Sequence, residues 1–152
     1  MVALNAAGVR YRVHEFEADP AERRFGQAAA FALGVELERV FKTLIATVDD
    51  SDHVVAIVPV SGQLSLKELA AAVHGKRAEM CLPETAQRLT GYVVGGISPF
   101  GQKRALPVVI DETCVLFDTI FVSGGRRGLD IEIAPDDLVA VLGAVMAPIG
   151  TS

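Results

Sequence analysis

Polar and apolar positions alternate in Tyr11-Arg-Val-His-Glu-Phe16, the two-residue period of a strand with one buried face. The Ala-rich run from Gly26 to Leu33, closed by Gly34, predicts a short helix. Val40 to Val48 and Val54 to Val60 then read as two strands paired across the polar turn Asp49-Asp50-Ser51-Asp52. Ser65-Leu-Lys-Glu68 has capping-box form ahead of the apolar run Leu69 to Val73, and Gly75 stops that helix. Further along, the pattern predicts a strand at Ala78 to Cys81, a helix opened by Pro83 and running to Leu89, and a strand at Tyr92 to Val94. Strands at Val108 to Asp111, Thr119 to Val122 and Leu129 to Ile133 follow, and Pro135 opens a last helix that ends near Gly143.

Many of these strands succeed one another with no helix between them, which disfavours a doubly wound parallel sheet. The expected fold class is α/β of the α+β type: a mixed, largely antiparallel sheet closing into a partial barrel flanked by helices. Without repeats, low-complexity segments or linkers, residues 1–152 are expected to form one domain.

Composition narrows the function classes. With 51% hydrophobic and 22% charged residues, the chain falls among soluble globular proteins. Apolar runs such as Val54 to Val60 fall well short of the roughly 20 residues that span a membrane. The N-terminus lacks the basic and apolar regions of a signal peptide, so a cytoplasmic location is expected. A net charge of −5 argues against coating nucleic acid through the overall field, so any such contact needs a local basic patch. Cys81 and Cys114 have no metal or redox spacing and read as core or near-core thiols. His14, His53 and His74 are scattered, so no metal site and no cofactor is expected.

Four segments carry candidate chemistry. Lys42 stands in an apolar row with Val40, Leu44, Ala46 and Val48; it is either a gatekeeper charge on an edge strand or an ammonium directed into a cleft. Gly95-Gly-Ile-Ser-Pro-Phe-Gly101 is either a tight connection needing positive φ or a concave anion site of backbone N–H groups. It fails as a nucleophile elbow because Phe100 stands where glycine is required, and as a P-loop because Gln102 precedes Lys103 and Arg104 follows it. Ser123-Gly-Gly-Arg-Arg-Gly128 is either a solvated hairpin or, with Lys103 and Arg104, a basic patch built from Arg126 and Arg127 that could hold RNA phosphate. In Leu129-Asp-Ile-Glu-Ile133 the default surroundings of Glu132 are water, whereas Asp130 is the better site candidate.

The ordered set Val-Phe-Lys42-Thr-Leu, Thr90-Gly-Tyr-Val-Val-Gly-Gly-Ile-Ser-Pro-Phe-Gly-Gln-Lys103 and Val122-Ser-Gly-Gly-Arg-Arg-Gly-Leu-Asp-Ile-Glu132 resembles the YbaK/ProX family, relatives of the editing domain of bacterial prolyl-tRNA synthetase. The resemblance runs from about Leu4 to Ala147. It implies a barrel-like mixed sheet and a deacylase of aminoacyl-tRNA, most readily Cys-tRNA(Pro), with prolyl-tRNA synthetase as a further partner. It also implies catalytic roles for Lys42, Gly95 and Gly96, and a pocket that includes Phe25, Thr43, Ile97, Ser98, Ser123 and Asp130. In this family the substrate's own thiol can attack the ester. The family commonly has Tyr at Phe16 and often Leu at Phe100. A non-catalytic tRNA- or synthetase-binding module using Lys103, Arg104, Arg126 and Arg127 is the alternative, with a phosphatase or nucleotide hydrolase a weaker one.

Overall fold

A computed structural model describes residues 2–19 and 21–151. The elements run α1 (Val2–Ala7), β1 (Tyr11–Glu15), α2 (Phe25–Leu33), β2 (Phe41–Val48), β3 (Asp52–Pro59), β4 (Gln63–Leu64), α3 (Leu66–Ala72), β5 (Ala78–Met80), α4 (Pro83–Thr90), β6 (Val108–Asp111), β7 (Ile120–Arg126), β8 (Leu129–Ile133), α5 (Pro135–Leu142), β9 (Val145–Ala147) and β10 (Gly150–Thr151). Short 3-10 turns at Leu37–Arg39 and Glu112–Leu116 complete them.

The β2–β3 hairpin is the axis of a five-stranded sheet ordered β5-β2-β3-β6-β9, in which β2 pairs antiparallel with β3 and β5, while β3-β6 and β6-β9 are parallel. β1, β8 and β7 form a separate antiparallel sheet of three strands. A parallel bridge, Val40 to Phe121, ties the two together. The result is the expected α+β architecture, a partial barrel that does not close.

Period-two alternation sorts the two faces of the hairpin. Phe41, Ile45, Val55 and Ile57 pack with Val122, Ile131 and Ile133 of the second sheet, with Ala86 of α4 and with Leu138 of α5. Ala46, Val48, Val54, Ala56 and Val58 lie on the opposite face under Leu69 and Ala70 of α3. Each fully buried Ile, Leu or Val of this kind contributes about 1.5–3 kcal/mol relative to exposure. α3 begins as expected, with Ser65 Oγ accepting the Glu68 N–H at 3.2 Å. The reciprocal half of the box is absent, because the Ser65 N–H donates to the Ile149 carbonyl at 2.7 Å. Gly34 and Gly143 close α2 and α5 in the left-handed conformation.

Two expectations need correction, and four short elements went unforeseen. Tyr92–Val94 is not a strand: Gly91 (φ 82°) caps α4 just before it and Gly95 (φ 91°) turns the chain just after it, leaving no room for a ladder. Glu132 is partly buried and not simply solvated: its carboxylate takes the Thr119 hydroxyl at 2.6 Å and the His14 ring at 2.9 Å, with Arg39 at 3.8 Å. α1, β4, β9 and β10 carried too few residues for a period to register. Among the described residues no helix is long and apolar enough to cross a membrane.

Candidate functional site

Beyond the Val40–Phe121 bridge a cavity opens between the two sheets. β5 pairs only with Ala46–Val48 of β2, and the last bond along that edge is the Cys81 N–H to the Ile45 carbonyl at 3.0 Å. The earlier half of the edge, around Thr43, is therefore open. Two residues past the bridge, Lys42 stands on one wall and Ser123 on the other, with Asp130 paired to Ser123 across β7 and β8. The cavity measures about 490 Å³, within the ~300–1,000 Å³ typical of small-ligand sites.

Lys42, Thr43, Phe25, Gly95, Ile97, Ser123 and Asp130 all line it. The Lys42 ammonium is half-buried and donates to the Gly62 carbonyl at 3.0 Å. Loss of solvent pulls its pKa below the ordinary lysine value. Asp130 is 7% exposed and Thr43 is 8% exposed. Burial pushes the Asp130 carboxyl up to about 7, against a smaller opposing attraction from His14. The Thr43 hydroxyl is buried without a hydrogen-bond partner among the described residues.

The glycine loop divides its labour differently from expectation. Val93 to Gly96 is a turn closed by the Gly96 N–H on the Val93 carbonyl at 2.9 Å, with Gly95 at the third position where positive φ is required. The Gly96 amide is thus spent inside the turn and cannot face an oxyanion, and Gly96 does not line the cavity. What Gly96 provides is close approach: a Cβ there would lie 2.7 Å from the Arg126 Cα. Gly95 and Ile97, whose N–H groups have no intramolecular partner among the described residues, both line the cavity. Ser98 is fully buried away from the cavity, its hydroxyl taking the Phe100 N–H at 3.2 Å, so it is a turn residue and not a ligand contact.

The basic residues separate. Arg126 and Arg127 flank a 40 Å³ side pocket shared with Phe25, Phe16, Gly95 and Asp130. The Arg127 guanidinium lies 4.9 Å from the centre of the Phe25 ring, and Arg126 reaches Glu15 at 3.7 Å. Lys103 and Arg104 are exposed and line neither space. Tyr92 connects the two pairs, since its ring abuts Gly125 and its neighbour Gly91 abuts Lys103. Phe16 brings no hydroxyl to the side pocket, and Phe100 is fully buried in the core.

Sequence reasoning missed Arg23 and Arg24 at the start of α2, and Met80, Cys81 and Pro83 on the wall opposite. The adjacency of Arg23-Arg24 to Phe25 was the only available signal. No histidine lines the cavity, and no group of three His, Cys, Asp or Glu residues is placed to hold a metal ion among the described residues.

Residues 20–141 match the aminoacyl-tRNA editing domain. A protein of Enterococcus faecalis provisionally named Cys-tRNA(Pro)/Cys-tRNA(Cys) deacylase EbsC is 36% identical over 143 residues, 94% of this chain and 87% of that one. The multifunctional Ser/Thr-tRNA deacylase ProXp-y of Escherichia coli K12 is 31% identical, over 76% of this chain and 71% of its own. A crystal structure described as a candidate trans-editing enzyme for prolyl tRNA synthetase superposes with a TM-score of 0.82 at 27% identity, covering 93% of this chain and 87% of that one. The two sheets, the Lys42 wall and the glycine turn therefore sit inside a shared scaffold, and the chain belongs to the aminoacyl-tRNA editing domain family.

Proposed function

We propose that this protein is a trans-editing deacylase that removes cysteine wrongly attached to tRNA(Pro) in the cytoplasm. The observation that carries the reading is one cavity holding an ammonium, an unpaired carboxylate and free backbone amides without a nucleophile–base pair. A synthetase pocket sized for proline gains only ~1–3 kcal/mol against a side chain of similar bulk, so a second site has to remove the error.

The cavity supplies position and charge, and the substrate supplies the nucleophile. A thiol with an ordinary pKa near 8.5 needs little help to ionise. Its sulfur bonds to the ester carbonyl carbon, and the carbon–oxygen bond to the terminal ribose breaks. The thiol proton ends on the departing ribose oxygen, and the resulting thiolactone then takes up water to give free cysteine. In this mechanism the amides of Gly95 and Ile97 face the developing oxyanion, and Lys42 holds the ester or the terminal phosphate. Arg126 and Arg127, with Lys103 and Arg104 beyond Tyr92, form the local basic surface for the acceptor stem.

The name of the ProXp-y relative supports a competing preference for hydroxyl-bearing amino acids. A panel of Cys-, Ala-, Ser- and Thr-tRNA separates the two. Release of cysteine with serine and threonine retained is expected. Rapid release of serine would remove the thiol-assisted step, and a mobility shift without any release would favour the non-catalytic binding module.

A further inference from the structure

Asp130 presents an electrostatic vacancy. It is buried, lines both the main cavity and the side pocket, and its side chain makes no hydrogen bond or ion pair among the described residues. Five cations around it are engaged elsewhere. His14, opposite it on β1, bonds to Glu132 at 2.9 Å. Lys42 on β2 donates to Gly62, Arg126 on the hairpin meets Glu15, and Arg127 lies over the Phe25 ring. Arg24 at the start of α2 is held by Glu22. Once ionised, a buried carboxylate accepts hydrogen bonds and has none to give, so it calls for a donor, best a cationic one. Thr43, whose hydroxyl is also buried without a partner among the described residues, is another residue of the same lining.

The aminoacyl end of a charged tRNA carries one such group beside its ester, the α-ammonium, with several N–H donors on one nitrogen. We propose that Asp130 binds the α-ammonium of the aminoacyl group, so that the site accepts free aminoacyl esters and rejects N-blocked ones such as peptidyl- or N-acylaminoacyl-tRNA. This rests on the aminoacyl-ester reading of the cavity. Lys42 and Asp130 then act as two poles, the ammonium serving the anionic or carbonyl side of the substrate and the carboxylate its amine. The same pairing orients the acyl carbon against the amides of Gly95 and Ile97, which makes Asp130 a positioning and specificity residue.

The test uses a non-hydrolysable probe, 3′-cysteinylamido-adenosine, with its N-acetyl form and its α-hydroxy analogue, which keeps the size and removes the charge. Binding is measured calorimetrically to the wild type and to Asp130→Asn. The wild type should bind the free-amine probe about tenfold or more tightly than either analogue. In Asp130→Asn the preference over the α-hydroxy analogue should collapse to about threefold or less. Equal affinity of the wild type for the amine and the α-hydroxy analogue overturns the proposal, as does an unchanged preference in the variant. Rejection of the N-acetyl form alone, kept in the variant, identifies a steric limit and also overturns it. Deacylation of Cys-tRNA(Pro) is followed in parallel. Failure of release with the binding preference intact would refute the deacylase reading while leaving the ammonium site standing.

Discussion

Replacing Asp130 by Asn makes the cost of this vacancy measurable. The carboxyl titrates at 3.8 in the unfolded chain and is pushed up to about 7 in the fold, chiefly by burial, with His14 opposing. Below pH 4 both states hold the proton and Asp130 adds no pH dependence. Between pH 4 and 7 the unfolded chain releases the proton and the folded protein keeps it, so stability falls as pH rises. Above about pH 7 the full penalty remains, about 4 kcal/mol at 1.36 kcal/mol for each pH unit of displacement. Asn fills nearly the same volume and cannot ionise, so the variant escapes this slope, while acid effects from all other groups cancel in the difference. For a chain of this size the gain corresponds to about 8–16 °C in Tm. Scanning calorimetry of both proteins from pH 4 to 8 should give a Tm difference that widens towards high pH and levels off above 7. A difference constant over that range would mean that Asp130 behaves as an ordinary solvated carboxylate, and the vacancy argument would be wrong.

Lys42→Met should leave the fold intact or slightly steadier, since it removes a half-desolvated charge, while deacylation falls by about tenfold to 150-fold, the worth of one charge-assisted contact of ~1.5–3 kcal/mol. Paired melting and deacylation assays check both halves of that statement. Gly96→Ala drives a methyl to within 2.7 Å of the Arg126 backbone, so it should cost about 1–3 kcal/mol and lower deacylation as the turn lifts off the hairpin; unchanged denaturant midpoint and activity would contradict this. Ser65→Ala removes the N-cap of α3 on the far face of the sheet, which should cost about 1 kcal/mol in denaturant unfolding without altering deacylation.

Local rules made much of the fold legible. The β2–β3 hairpin, the Ser65 cap, the prolines opening α4 and α5 and the glycines closing α2 and α5 are each decided within a few neighbouring residues. The Tyr92–Val94 segment misled because three β-prone residues carry no information about the left-handed glycines on either side. In the site, the open edge of β2 depends on β5 being only three residues long, a tertiary fact that sequence leaves unresolved for Lys42. The run Gly95-Gly-Ile-Ser98 does not reveal which amide a turn will use up, and the folded loop turns Gly96 and Ser98 away from the cavity that Gly95 lines. Arg23, Arg24 and Cys81 reach the cavity from segments distant in the chain, and no spacing connects them to Lys42.

The most direct measurement is the release of cysteine from purified Cys-tRNA(Pro) by the wild-type protein and by Lys42→Met, under single-turnover conditions with the protein in excess. The wild type should free the amino acid in a single exponential, and the variant should be slower by about one to two orders of magnitude at saturating protein. Equal rates for the two proteins, or binding by the wild type with the ester left intact, would contradict the assignment of this cavity as a deacylation site.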